Sequence, residues 1–242
     1  MKTVRLDCSG MQCPGPIMEV FRSMKDLAPG ELLEVTASDP GFARDVDAWC
    51  RRTGNTLVSN AERNGEFVAT IRRGGVPAPT QTAEARPKGK TIIVFDGEMD
   101  KILASFVIAN GALAMGRPVT MFFTFWGLNV LRRPEKVSIA KSFIEKMFGI
   151  MMPRGTKKLG LSRMNMGGAG SKMIRGIMKK KGILSLEELI DSARAHGVRL
   201  VACQMSMDIM GIHQEELIDG VELGGVATFI GSGEQSDISL FI

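Results

Sequence analysis

A single run, GGVPAPTQTAEARPKGK at residues 74–90, limits the fold more than any other stretch. It is rich in Gly, Pro, Ala and Thr and shows no apolar periodicity, which is the composition of a linker. Placed from Gly74 to Gly89, it divides the 242 residues into a domain over 1–73 and a domain over 90–242. Partly extended, at about 3 Å per residue, such a linker reaches some tens of Å. The chain is 44% hydrophobic and 24% charged, so it carries enough apolar side chain to build real cores.

The first domain reads element by element. Residues 3–8 alternate, with Val4, Leu6 and Cys8 on one face and Arg5 and Asp7 on the other, as a half-buried strand does. From Pro14 to Leu27, the positions Ile17, Val20, Phe21, Met24 and Leu27 form one helical stripe, stopped by Ala28-Pro29-Gly30. ELLEVTA is a second strand. SDPGFARDVDAWCRRTG is a second helix, with Asp39 as cap, Pro40 at its first position and Gly54 past its end. NTLVSNAERNGEFVATIRR is a hairpin turning at Asn64-Gly65. The order β-α-β-α-β-β predicts a two-layer α/β sandwich with both helices on one face of a small sheet.

The second domain alternates strand and helix. KTIIVFDG is apolar almost throughout, as expected of a strand covered on both faces. Helical patterns follow over 99–115, 135–148, 171–181 and 185–197. The last has a Ser185/Glu188 capping box and Gly197 as its stop. RPVTMFFTFWG, VRLVACQM and VATFIG read as further strands, and the whole predicts a doubly wound, mainly parallel α/β sheet. Residues 102–131 are apolar enough to suggest a membrane span. Asn110, Arg117 and Pro118 break them into a helix and a strand. The start MKTVRLDC has no apolar stretch of signal-peptide length, which places the protein in the cytoplasm.

In a reducing compartment, four cysteines are buried, metal-bound or reactive rather than a disulfide framework. With only His196 and His213 in the chain, the supply of ligands argues against a zinc site or a Cys-His protease site, and no metal or cofactor is expected. Cys13 opens the run Cys13-Pro14-Gly15-Pro16 at a strand-to-helix junction. Prolines in the first turn lose nothing by lacking an N–H, and unpaired N–H groups with the helix dipole favour a thiolate there. The alternatives are a sulfur nucleophile and a core cysteine at a helix cap. Cys8 continues the buried face of its strand, with a resolving role towards Cys13 as the second reading. Cys50, beside Trp49, is packing. Cys203 stands near the C-terminal edge of VRLVACQM, where sites form in doubly wound sheets, with Ser206 and Asp208 opening a helix after it. It too reads either as reactive or as a small residue in a buried strand.

Charge is unevenly placed. Residues 132–181 carry fourteen Lys and Arg against Glu135 and Glu145, an excess of twelve; the chain as a whole is +5, so the rest is net −7. Such a region is a solvated basic face or a docking surface for an acidic partner or an anionic membrane, with nucleic acid the less favoured occupant. Within it, residues 147–173 hold six Met among Gly and Lys. They read as a Met-lined flap in preference to a methionine copper site.

LDCSGMQCPGPIM, with its Cys-Pro-x-Pro at a helix start, resembles the TusA family of sulfur-carrier domains. The resemblance implies that Cys13 carries a persulfide, supported by Pro14, Gly15 and Pro16. Residues 90–242, through MFFTFWGL and CQMSMDIMGI, look like the DsrE/DsrF-like family and related peroxiredoxin-like proteins. That resemblance implies a relay role with Cys203 as acceptor and oligomerisation through the C-terminal domain. The pairing also resembles the C-terminal part of coenzyme A-disulfide-reductase and rhodanese-type fusions. The implied function is sulfur transfer by way of Cys13 and Cys203. A rhodanese-like protein, a cysteine desulfurase or a small persulfide would be the donor, and a protein thiol the acceptor. The rivals are a thiol-disulfide or peroxide-linked redox protein and a basic docking module.

Overall fold

The computed structural model describes residues 2–12, 14–39, 41–74 and 88–242. Cys13, Pro40 and most of the expected linker lie outside the described residues. Two sheets organise the rest.

The first sheet has the order β1-β2-β4-β3. Strand β1 (Thr3–Cys8) runs parallel to β2 (Leu32–Ala37), and β4 (Glu66–Arg72) runs antiparallel to both β2 and β3 (Thr56–Arg63). The parallel pair is joined through α1 (Gly15–Asp26), as a crossover requires. The pairs Leu6↔Val35, Val35↔Ala69 and Leu33↔Ile71 put small and branched apolar residues in register. They meet Val20 and Met24 of α1 and Phe42, Val46, Trp49 and Cys50 of α2 (Phe42–Thr53) in one buried core. Each such side chain contributes about 1.5–3 kcal/mol by leaving water. The β3–β4 hairpin turns through Asn64 and Gly65, both at positive φ, the type I′ geometry this dipeptide favours.

The β-α-β-α-β-β order stands as read, with one difference at α2. Its cap is Gly41, without a side-chain bond. Asp39 Oδ1 accepts from the Gly41 N–H at 3.0 Å, so this carboxylate closes a turn ahead of the helix instead of capping it.

The second sheet is parallel throughout, in the order β8-β7-β6-β5-β9. Its strands are β5 (Gly89–Val94), β6 (Val119–Phe123), β7 (Arg199–Cys203), β8 (Val221–Gly224) and β9 (Ser236–Phe241). The chain builds outward from β5 to β8, then returns to add β9 on the other side of β5, which is double winding. The helices are α3 (Met99–Ala114), α4 (Phe143–Met151), α5 (Ala169–Lys180), α6 (Leu186–Ala195), α7 (Gln204–Met210) and α8 (Val226–Glu234). Ile92, Val94, Phe106, Met121, Phe123, Leu189 and Leu200 are buried around the sheet. Among the described residues, no helix is long and apolar enough to cross a membrane.

Three expectations are corrected. VATFIG is the start of helix α8, and the strands on either side of it, β8 and β9, went unread. Parallel neighbours need a crossover, and a short apolar run fits a helix as well as a strand. RPVTMFFTFWG is a strand only to Phe123. The chain then winds into a 3-10 helix over Phe125–Leu131, where Gly127 packs so close that a Cβ would lie 2.2 Å from the Val94 carbonyl oxygen. The helix expected over 135–148 starts only at Phe143. There Ser142 Oγ accepts from the Glu145 N–H (3.3 Å) and Glu145 Oε2 accepts from the Ser142 N–H (2.6 Å).

Candidate functional site

The connection between β1 and α1 is held by backbone bonds on both sides of Cys13. Met11 N–H donates to the Cys8 carbonyl (3.1 Å), Gly15 N–H to Gln12 (2.8 Å), and Met18 N–H to Pro14 (3.1 Å). Asp7 Oδ1 accepts from Ser9 N–H, and Ser38 Oγ accepts from Gly10 N–H. Pro14 is the N-cap of α1 and Pro16 lies in its first turn, where neither removes a helical hydrogen bond. Pro14, Gly15 and Pro16 are all buried. Cys13 itself lies outside the described residues.

Cys8 ends β1 fully buried in the core of the first sheet. Burial, then the charges of Glu19 and Asp7, push its thiol up to about 11. Cys50 is pushed up to about 12, by burial and then Asp47. Both are protonated thiols at neutral pH, which suits packing and opposes nucleophilic work.

Cys203 is the last residue of β7 and the N-cap of α7, so strand and helix meet at its sulfur. Its surroundings are apolar: Phe122 from β6, Val201 from β7 and Phe229 from α8, with the two phenyl rings 5.6 Å apart. It is 6% exposed. On β8 its paired residue is Gly224, where a Cβ would come within 2.7 Å of Val201 Cγ1, so a side chain there would force Val201 to shift. One turn into α7, the fully buried Ser206 hydroxyl shares a 2.7 Å hydrogen bond with Thr124, the residue after β6. That bond ties the C-terminal ends of two neighbouring strands together around the cysteine. Sequence reading placed Cys203 at the sheet edge but missed Thr124, Phe229 and Gly224. Nothing local in the sequence marks partners that only the strand order brings together.

The basic segment also looks different in three dimensions. Glu216, fully buried, accepts from Arg132 (3.3 Å), Lys141 and Arg154. Burial alone would raise its carboxyl. The hydrogen bond from Lys141, the His213 N–H, the charge of Lys141 and the bond from Arg154 outweigh burial and hold it down to about 2. Arg133 pairs with Asp219 and Arg175 with Glu187. Five cations of the basic run are therefore anchors to acids outside it. The six methionines of residues 147–173 divide, with Met152 buried and Met147, Met151, Met164, Met166 and Met173 exposed. No group of three metal-ligating side chains occurs among the described residues.

Comparison with known proteins adds the following. The DsrE/DsrF/DrsH-like family matches residues 87–241, and the sulfurtransferase TusA family matches residues 4–73. YrkE of Bacillus subtilis is 49% identical over 155 residues, covering 64% of this chain and 97% of that protein. The sulfur carrier protein DsrE2 of Allochromatium vinosum is 36% identical over 159 residues, covering 64% of this chain and 98% of that one. The sulfur carrier protein TusA of the same organism is 38% identical over 68 residues, covering 28% of this chain and 90% of that one.

Proposed function

The chain belongs to the DsrE/DsrF/DrsH-like family with a TusA domain ahead of it, and from that premise we propose that it relays sulfane sulfur, with Cys13 as carrier and Cys203 as second station. The observation that carries the reading is that pairing within one chain, in which the DsrE-like part ends a central parallel strand in a cysteine at a helix start.

The chemistry needs no cofactor and no net oxidation. The Cys13 thiolate attacks the outer sulfur of a donor persulfide. An S–S bond forms on Cys13 as the donor's breaks, the terminal sulfur moves with its proton, and the donor leaves as a thiolate. The Cys203 thiolate takes the outer sulfur from Cys13 in the same way, returning Cys13 to the thiolate. Phe122, Val201 and Phe229 keep water from the sulfur held at Cys203, and the Thr124–Ser206 bond fixes the turn that presents it. Cys8, with its raised pKa, is a poor resolving thiol, so the partner of Cys13 is Cys203 or a cysteine of another protein.

The donor is a rhodanese-like protein, a cysteine desulfurase or a small-molecule persulfide, and the acceptor a protein thiol, all in the cytoplasm. A place in a coenzyme A-disulfide-reductase and rhodanese-type fusion would supply the donor from the same polypeptide, and oligomerisation through the DsrE-like part would multiply the acceptor sites. Intact-mass measurement after exposure to a persulfide donor tests the reading. A reductant-labile gain of about 32 Da, one sulfur atom, is expected on wild type and lost with Cys13→Ser. An adduct yield left unchanged by both Cys13→Ser and Cys203→Ser would sink it. Peroxide turnover with a Cys–Cys disulfide would support the redox rival instead.

A further inference from the structure

Helix α4 is amphipathic the wrong way round. It has no buried residue. Its polar Glu145 faces the protein, where Gly211 leaves room for it (a Cβ there would lie 2.5 Å from Glu145 Cγ) and His213 Nε2 bonds it at 3.2 Å. Outward it presents Phe143 (82% exposed), Ile150 (85%) and Met151 (73%), with Ile144 and Met147 also exposed. At 3.6 residues per turn these five fill an unbroken apolar arc of about 120°. A surface helix of a globular protein normally turns such an arc inward.

The helix is held in this pose from both ends. Glu216 bonds Lys141 just before α4 and Arg154 just after it, and Arg132 closes the same cluster. The segment is therefore a loop clasped at its base, which displays α4 at its tip.

We propose that α4 is a docking helix that seats this protein on an anionic lipid surface. The exposed cations near α4 in sequence decide between lipid and protein. Lys146 borders the apolar arc, and Lys136, Lys157, Lys158, Arg163 and Lys172 are exposed in the flanking chain, against Glu135 as the exposed acid between residues 135 and 172. Protein interfaces are depleted in lysine, whereas an anionic bilayer gains from every one held near it while the apolar arc enters the headgroup boundary. Exposed Met164 and Met166 follow in the same segment. The charge excess alone left lipid as one reading among several, and the outward arc singles it out.

The test is co-sedimentation of the full chain with vesicles of phosphatidylcholine alone and of phosphatidylcholine mixed with phosphatidylglycerol, at low and high salt. Wild type should sediment with the anionic vesicles, weakly with the neutral ones, and less as salt rises. Phe143→Ser with Ile150→Glu should abolish binding, and Lys146→Gln with Lys157→Gln and Lys158→Gln should weaken it about tenfold or more. All five positions are exposed, so the variants should keep the wild-type melting temperature. Failure to bind anionic vesicles overturns the proposal. So does a stable wild-type oligomer that Phe143→Ser with Ile150→Glu disperses, since a second copy would then cover the face. Persulfide loading uses neither helix nor lysines, so it stays intact in these variants and the sulfur reading stands or falls separately.

Discussion

Cys8 and Glu216 show how burial decides what a titratable residue does. Cys8 holds its proton more tightly in the folded chain than in the unfolded one, since its pKa rises from 9.0 to about 11. Stability from this source is therefore level below pH 9 and falls as pH climbs towards 11. In the folded protein at neutral pH, Cys8 should resist iodoacetamide, and peptide mapping of the alkylated chain checks this. Glu216 runs the other way. Its folded pKa is depressed from 4.5 to about 2, so its stabilisation is complete above 4.5 and is lost as pH falls towards 2. Glu216→Gln leaves Arg132 buried without its counter-charge and should cost about 3–5 kcal/mol in urea unfolding at neutral pH. The variant should also lack the share of acid destabilisation between pH 4.5 and 2 that Glu216 is expected to contribute in wild type. The strand alternation placed Cys8 in the core from sequence alone. Glu216 gave no such sign, because its three cations come from positions 62 to 84 residues away.

At the scale of elements, the first sheet was legible because its signals are local. Period-two alternation in β1, the Asn64-Gly65 turn and Gly54 at the left-handed end of α2 each specify their own geometry. In the second domain the apolar runs of β5, β6 and β7 and the helix α3 are legible, whereas β8 and β9 are not, although β9 is as long as β5. VATFIG has β-branched residues at alternate positions and still forms α8, because β8 and β9 are parallel members of one sheet and the chain must cross over between them. Tertiary demand outweighs a propensity difference of under about 1 kcal/mol per residue. Gly127 carries a similar constraint. Gly127→Ala would set a Cβ against the Val94 carbonyl, and strand β5 cannot move away without breaking its ladders to β6 and β9. A loss of about 1–3 kcal/mol in urea unfolding is expected. The outward arc of α4 escaped sequence reading because periodicity shows that a helix has an apolar face, not which way it points.

For the whole molecule, the proposed sulfur chemistry rests on two cysteines with different standing. Cys13 is set by its motif, in a stretch matched by the TusA family, and Cys203 by its position at the end of β7 in the DsrE-like part. Under the proposed relay, a carrier in one part and a station in the other would account for one chain holding both. Cys8 and Cys50, by contrast, are withdrawn into the first core, where burial raises their pKa. If α4 docks on lipid, this relay works at a membrane surface. The most direct test follows sulfur from residue to residue. After a brief exposure to a persulfide donor, samples quenched over time are digested and the Cys13 and Cys203 peptides weighed. The relay predicts an added sulfur first on the Cys13 peptide and then on the Cys203 peptide, with Cys13→Ser stopping both and Cys203→Ser leaving the first loaded. A Cys203 peptide that loads at the wild-type rate in Cys13→Ser would contradict it.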